Sequence, residues 1–324
     1  MFSSLSNTPT QLAKPLSFSG LLRRAWAINT TLTVFVLLAV GLFLAGVIGM
    51  LIDPRIVLGM PNWAKSTKFG ISLALYGATL LTILPLLPSR PRLAAIIGHA
   101  SGAILILEIV MIALQAIRGV PMHFNIGTTF DATLWGIMSV SIMIFWVITL
   151  IGVVLVMREK FTDRVLGWGV RLGMLIVLIG FAQGFLMTGP NATQMSALTR
   201  GEQLDLIGAH TVGALDGGPG IPLLGWSTQH GDLRIGHFVG IHAIQVVGLL
   251  ALLLRRSTLK IPTQVALVWI SAAVYFGLVV LVTWQALRDQ PLLAPDQLTL
   301  NVLFGLIGVG SLATISTLLQ DRQR

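Results

Sequence analysis

The sequence predicts an all-α integral membrane bundle of about eight transmembrane helices, with both termini inside and a long outer loop capping the bundle. Three observations carry this. Of 324 residues, 55% are hydrophobic and 10% charged, against about 25% charged in a typical soluble domain. Apolar runs of about 20 residues, the length that crosses a hydrocarbon core, recur along the whole chain. Turn signals such as Asp53-Pro54, Pro88-Ser89-Arg90-Pro91, Gly189-Pro190 and Pro295-Asp296 separate most of these runs.

Residues 1–29 form a cytoplasmic lead-in carrying Lys14, Arg23 and Arg24. The apolar run behind them is too long for a signal-peptide core, so it counts as a retained first helix. The spans follow at 30–52, 68–88, 93–117, 131–157, 165–187, 234–254, 262–286 and 297–319. The helical domain is thus 30–320, with a cytoplasmic tail at 321–324. Inner loops are short, whereas 188–233 is a long outer connection that predicts an ordered cap or re-entrant turn. Asp131, Asp232 and Asp296 stand at or just before span starts, where helix N-caps belong.

Charge orients the bundle. With the N-terminus inside, 14 of the 21 Lys and Arg residues fall on the inner side and 7 on the outer, the bias of a bacterial cytoplasmic membrane protein with both termini cytoplasmic. A net charge of +9 spread between apolar runs fits a membrane surface and excludes nucleic acid as a partner. The chain has no cysteine, which excludes disulfides, thiolate-bound zinc, cysteine-ligated clusters and a cysteine nucleophile. Phosphate-binding loops, Gly-x-Ser-x-Gly and His-Glu-x-x-His are also missing.

Chemistry then rests on histidines and one carboxylate. Five of the six histidines, His123, His210, His230, His237 and His242, map to the outer half. Imidazole binds metals, ligates haem and carries protons. Glu108 is the lone intramembrane carboxylate, and such a group must be protonated, paired or wet. Its depth matches that of His242, so the two meet if the third and sixth spans are neighbours. Gln115 lies on the face of Glu108 and points the stripe toward Arg118. His237 and His242 are five residues apart, about 140° round a helix, and do not form a chelate on one face. His99 sits near the inner end on the opposite face from Glu108, which predicts a structural hydrogen bond. Asn125, Asp216, Arg234 and Gln245 complete the candidates. The Gly217-Gly218-Pro219-Gly220 run can cradle an anion or serve as a tight turn.

The strings Gln-Ala-x-Arg-Gly-x-x-x-His-Phe-Asn at 115–125 and Asp-Gly-Gly-Pro-Gly…Gly-Asp-Leu-Arg-x-x-His-Phe-x-Gly-x-His-Ala-x-Gln at 216–245 resemble those of a bacterial polytopic membrane family of unassigned function. Gln183-Gly184 and Val212–Trp226 are loosely similar to haem A synthase, an eight-span protein whose histidines serve haem. The histidines and Glu108 themselves lead to the expectation of haem b or a metal held by His and carboxylate, with His123, His237 and His242 as candidate ligands and Glu108 and His242 as catalytic candidates. Here only the third and sixth spans contain histidine, so the pattern departs from that family. The resulting expectation is a haem- or metal-binding site in the outer half, with redox or membrane-enzyme work and a small-molecule or quinone-like ligand. A proton-coupled transporter or permease using Glu108 is the alternative, and a non-catalytic assembly or scaffold protein is a third.

Overall fold

The structure, a computed structural model, describes residues 17–323. The lead-in before residue 17, with Lys14, and the terminal Arg324 lie outside the described residues. Eight helices among the described residues are long and apolar enough to cross a membrane: Thr30–Ile52, Ala64–Leu86, Pro91–Arg118, Thr129–Arg158, Arg164–Thr199, Leu233–Leu254, Ile261–Leu287 and Gln297–Gln323. The chain is a multi-pass membrane protein. Its lipid-facing side chains, such as Ile48, Ile144 and Phe304, remain exposed, because lipid rather than water covers them.

A short helix, α1 (Phe18–Ile28), precedes the first span α2 (Thr30–Ile52). It occupies most of the described part of the segment expected to lead into the first span. Ser17 caps it by accepting from the Gly20 backbone N–H, and Phe18, Leu21 and Trp26 remain exposed beside Arg23 and Arg24. Apolar rings and arginines mixed in this way suit a helix lying at the membrane surface. Asn29 then ends α1 and caps α2.

Two two-residue strands, β1 (Ile56–Val57) and β2 (Met60–Pro61), form a hairpin leading into α3 (Ala64–Ile83). Then follow α4 (Pro91–Arg118), α5 (Thr129–Arg158) and α6 (Arg164–Ala182). Short helices α7 (Phe185–Thr188) and α8 (Ala192–Thr199) start the long connection. The chain closes with α9 (Leu233–Ile241), α10 (Ala243–Leu254), α11 (Ile261–Leu287) and α12 (Gln297–Gln323). Helices α2 to α5 pack as one group and α6 with α9 to α12 as another; α5 against α6 joins them. The ends that carry the 119–128, 188–232 and 288–296 connections define what we call the loop face.

Two predicted continuous spans are interrupted. The fifth breaks at Gln183-Gly184, and the sixth breaks at His242, whose φ of −91° and ψ of 2° leave the helical region. Both interruptions lie close to a glycine crossing. A Cβ on Gly240 would stand 2.6 Å from the Cα of Gly180, so only glycine lets the two backbones approach this closely. That approach brings the Gly180 carbonyl within reach of His237.

Candidate functional site

The cap predicted for 188–233 sits on the loop face, and two cations hold it there. Lys68 Nζ on α3 donates to the Leu224 carbonyl at 2.6 Å, and Arg234 on α9 donates to the Gly225 carbonyl at 2.6 Å. On the other side the cap pairs with the segment after α4. Ile126 N–H donates to Asp205 O at 2.8 Å, and Ile207 N–H to Phe124 O at 2.9 Å. Asn125 is buried in this seam, where it stabilises the turn by accepting from Gly127 N–H at 3.2 Å. The glycine run has a turn role. Gly217, at φ +106°, packs against Leu58 and Gly59 of the hairpin, and Gly59 at φ +71° has no room for a side chain there.

Several candidates close into saturated networks. Gln115 donates to Asp131 at 3.0 Å, Arg118 forms an ion pair with Asp131, and Thr128 donates to Asp131 at 2.6 Å. Asp131 is therefore not the N-cap expected from its position. Thr128 caps α5 by accepting from the Asp131 N–H, which frees the carboxylate to take Arg118. Asp232 does cap α9, accepting from Arg234 N–H, and also takes the Arg234 guanidinium and Ser227 N–H. Asp296 accepts from Thr299 N–H at 2.8 Å at the start of α12. Arg288 and the Thr299 backbone hold its carboxyl well below the usual range.

Beside these closed networks lies an open one. His210 and Asp216, both in the cap and nearly buried, are joined through His210 Nδ1. Asp216 also accepts from the backbone N–H of His210 and of Thr211, each at 3.0 Å, and from the Thr211 hydroxyl at 2.9 Å. Burial alone would raise its carboxyl, but these donors and Arg234 hold it well below the usual range. Burial first, then the Lys65 charge, lower the His210 imidazole to about 4 despite Asp216. Since a carboxylate only accepts, Nδ1 carries the proton and Nε2 carries a lone pair. That Nε2 has no hydrogen-bond partner among the described residues.

His123 stands close by, in the connection between α4 and α5. It makes no hydrogen bond among the described residues and rests in an aromatic collar, 5.6 Å from Phe69 and 5.9 Å from Trp135. Burial, then the charges of Lys65, His210 and His237, keep its imidazole well below its ordinary range. The next residue, Phe124, has a φ of 66°, a conformation that costs a bulky side chain about 1–3 kcal/mol. Two contacts hold it: the Ile207 hydrogen bond and its ring, 4.8 Å from His210 and 5.0 Å from Trp135. His237 enters from α9, its Nδ1–H donating to Gly180 O at 2.8 Å.

The fifth member, Lys65 at the start of α3, counts in the sequence only among the seven outer charges. The residue is half-buried, and its Nζ sits 5.9 Å from the Phe69 ring with no acceptor among the described residues. Its charged neighbours are Arg234, Asp216 and Lys68. The signal was present in Ala64-Lys65-Ser66-Thr67-Lys68, where two lysines three apart share one face of a span. Below His237, Phe181 packs with Tyr76 and Phe145 at ring separations of 5.3 to 5.9 Å. These rings bring both helix groups together beneath the site.

The remaining candidates stand apart. Glu108 is buried, and its hydrogen-bond partner is the Ser141 hydroxyl at 2.5 Å. His242 instead reaches Ser72 at 3.3 Å, and its ring packs at a tilt 4.5 Å from that of Phe238. The anticipated meeting of Glu108 with His242 is not made, because the sixth span kinks at His242 and turns the ring toward α3. Gln245 donates to Thr79 at 3.0 Å. His230 reaches Asp289 at 3.0 Å near the end of α11. His99 bonds Thr31 at 2.8 Å near the face opposite the cap, the structural bond expected of it. Among the described residues no group of three or more His, Asp or Glu is arranged to hold a metal ion. Compared with family models, curated proteins and solved structures, the chain matches none of them.

Proposed function

We propose that the loop-face site, between the two helix groups and under the cap, binds an amphipathic small molecule through an anionic or carbonyl-bearing head. One observation carries this reading: Lys65 presents an ammonium, and His123 an imidazole, without hydrogen-bond partners among the described residues, beside the unpaired hydroxyl of Ser66. A polar group withdrawn from water costs free energy unless something pairs with it, and an anionic head supplies the partner. The aromatic side chains of Phe69, Trp135, Tyr76 and Phe181 suit the apolar part of such a molecule. The charge bias of the loops supports an orientation with both termini in the cytoplasm of a bacterium, and in that orientation the site opens on the outer side of the inner membrane.

The test is a titration of the purified chain with laurate, followed by tryptophan fluorescence. Trp135 stands beside His123 and reports occupancy. The wild type binds saturably, and Lys65→Met loses binding by about tenfold or more, the effect of about 1.4 kcal/mol. Equal affinity in the two proteins rejects the reading.

A second reading, haem or a metal, is favoured by one feature. The Nδ1–H of His237 donates to a backbone carbonyl, the arrangement that orients a ligating imidazole with Nε2 outward. The described residues supply no converging set of three ligands, and a nearby ammonium repels a cation. Oxidised and reduced visible spectra with metal analysis decide it. A Soret band lost in both His123→Ala and His237→Ala supports haem, whereas a colourless, metal-free protein that binds laurate rejects it.

A further inference from the structure

The His210–Asp216 pair is built with more care than a loop clip requires. Asp216 is held by donors from two backbone N–H groups, one hydroxyl and the imidazole. Each fixes the carboxylate, and the carboxylate fixes the ring through Nδ1. The ring is also positioned by Phe124, itself in a strained backbone conformation. The product of this construction is one free lone pair, on Nε2, of a ring that feels the Lys65 charge. A carboxylate that orients an imidazole, sets its tautomer and stabilises its protonated form is the arrangement of a general base.

We propose that His210, oriented by Asp216, is the general base of an ester-hydrolysing site, acting on an ester carbonyl held at Lys65 in the amphipathic molecule bound there. The inference rests on the binding reading above. Nε2 takes a proton from a water molecule as the water oxygen bonds to the carbonyl carbon. The carbonyl π pair moves onto oxygen, where the Lys65 ammonium faces the new negative charge. When the tetrahedral intermediate collapses, the C–O bond to the alcohol breaks, and the alkoxide takes the proton from Nε2. An alcohol and a carboxylic acid leave, and the acid gives its proton to solvent. Asp216 stays ionised throughout. It is a positioning residue, whereas His210 touches the reacting water. The charged and titratable groups around His210 are Lys65 from α3, Arg234 from α9, His123 from the connection after α4, and Asp216 from the cap itself.

The experiment uses the full chain in detergent micelles with 4-nitrophenyl esters of short, medium and long acyl chains, alongside laurate binding. The wild type releases 4-nitrophenolate above the rate of empty micelles. His210→Asn keeps a side-chain donor toward Asp216 but has no base, and kcat falls by about 100-fold or more with KM and laurate affinity retained. Asp216→Asn also lowers kcat at unchanged KM, and shifts the lower limb of the kcat–pH profile, which a loop clip alone would not move. Laurate binding by each variant shows that it is folded. If the wild type binds laurate yet hydrolyses none of the esters, or if His210→Asn hydrolyses them at the wild-type kcat, the base assignment is wrong while the binding reading stands. If laurate fails to bind, the binding reading itself is wrong.

Discussion

Arg118–Asp131 and Lys65–His123 are two polar constellations on the same face of the bundle, and they solve the burial of charge in opposite ways. In the first, a carboxylate takes Arg118, Gln115 and Thr128 together, so little capacity is left over. In the second, the one carboxylate, Asp216, is spent on His210 and Thr211, and Lys65 and His123 are left without acceptors. A saturated network holds helices in register, whereas an unsaturated one stores a demand that a ligand can meet. The contrast separates structure from function more sharply than residue type does, since both contain residues that the sequence marks as chemically suggestive.

The largest expected effect breaks the closed side. Arg118→Ala leaves the Asp131 carboxylate buried without its cation, a loss of about 3–5 kcal/mol where one partner of a buried pair is removed. Arg118 is itself partly exposed, so the lower end applies. Thermal unfolding in detergent should show a drop of several degrees, and an unchanged midpoint would mean that the pair is ornamental. Removing charge on the open side should do the reverse. Lys65→Met takes away an unpaired ammonium and should stabilise the ligand-free protein by roughly 0.5–2 kcal/mol while abolishing laurate binding. A fall in the midpoint of the same protein would show that Lys65 has a structural partner.

An effect confined to acid pH follows from His210. Its imidazole titrates at about 4 in the folded protein against 6.5 for the free group. Between these values the unfolded chain binds a proton that the folded chain does not, so the protein loses stability as pH falls from 6.5 toward 4. His210→Asn should flatten that part of the stability–pH curve, and an unaltered slope would contradict the burial of a neutral imidazole. The smallest effect belongs to Glu108→Gln. The amide is isosteric and still accepts from Ser141, so stability should change by less than about 1.5 kcal/mol. Laurate binding should not change, and its loss would connect Glu108 to the mouth after all.

Much of the fold was legible because hydropathy acts over whole spans, and a 20-residue apolar run has few alternatives. The cap was legible too, from the length of 188–233 alone. The breaks at Gln183-Gly184 and His242 were not, since they arise where Gly180 meets Gly240 across two helices, and neither glycine stands out among the 34 in the chain. That hidden kink is also why Glu108 and His242, matched in depth on straight helices, take Ser141 and Ser72 instead. At the site, histidine identity pointed to His123, His210, His230, His237 and His242 together, and the structure gathers His123, His210 and His237 near one another while His230 takes Asp289 and His242 takes Ser72. Lys65 escaped because a lysine at a span end normally reads as an orientation signal, and only the absence of an acceptor in three dimensions distinguishes it.

Native mass spectrometry of the chain purified from membranes tests the central claim most directly. Wild-type protein should carry a bound amphiphile with an acidic or carbonyl-bearing head, released on unfolding, and Lys65→Met should emerge without it while Arg118→Lys retains it. The same adduct at the same occupancy on wild type and Lys65→Met would contradict the account.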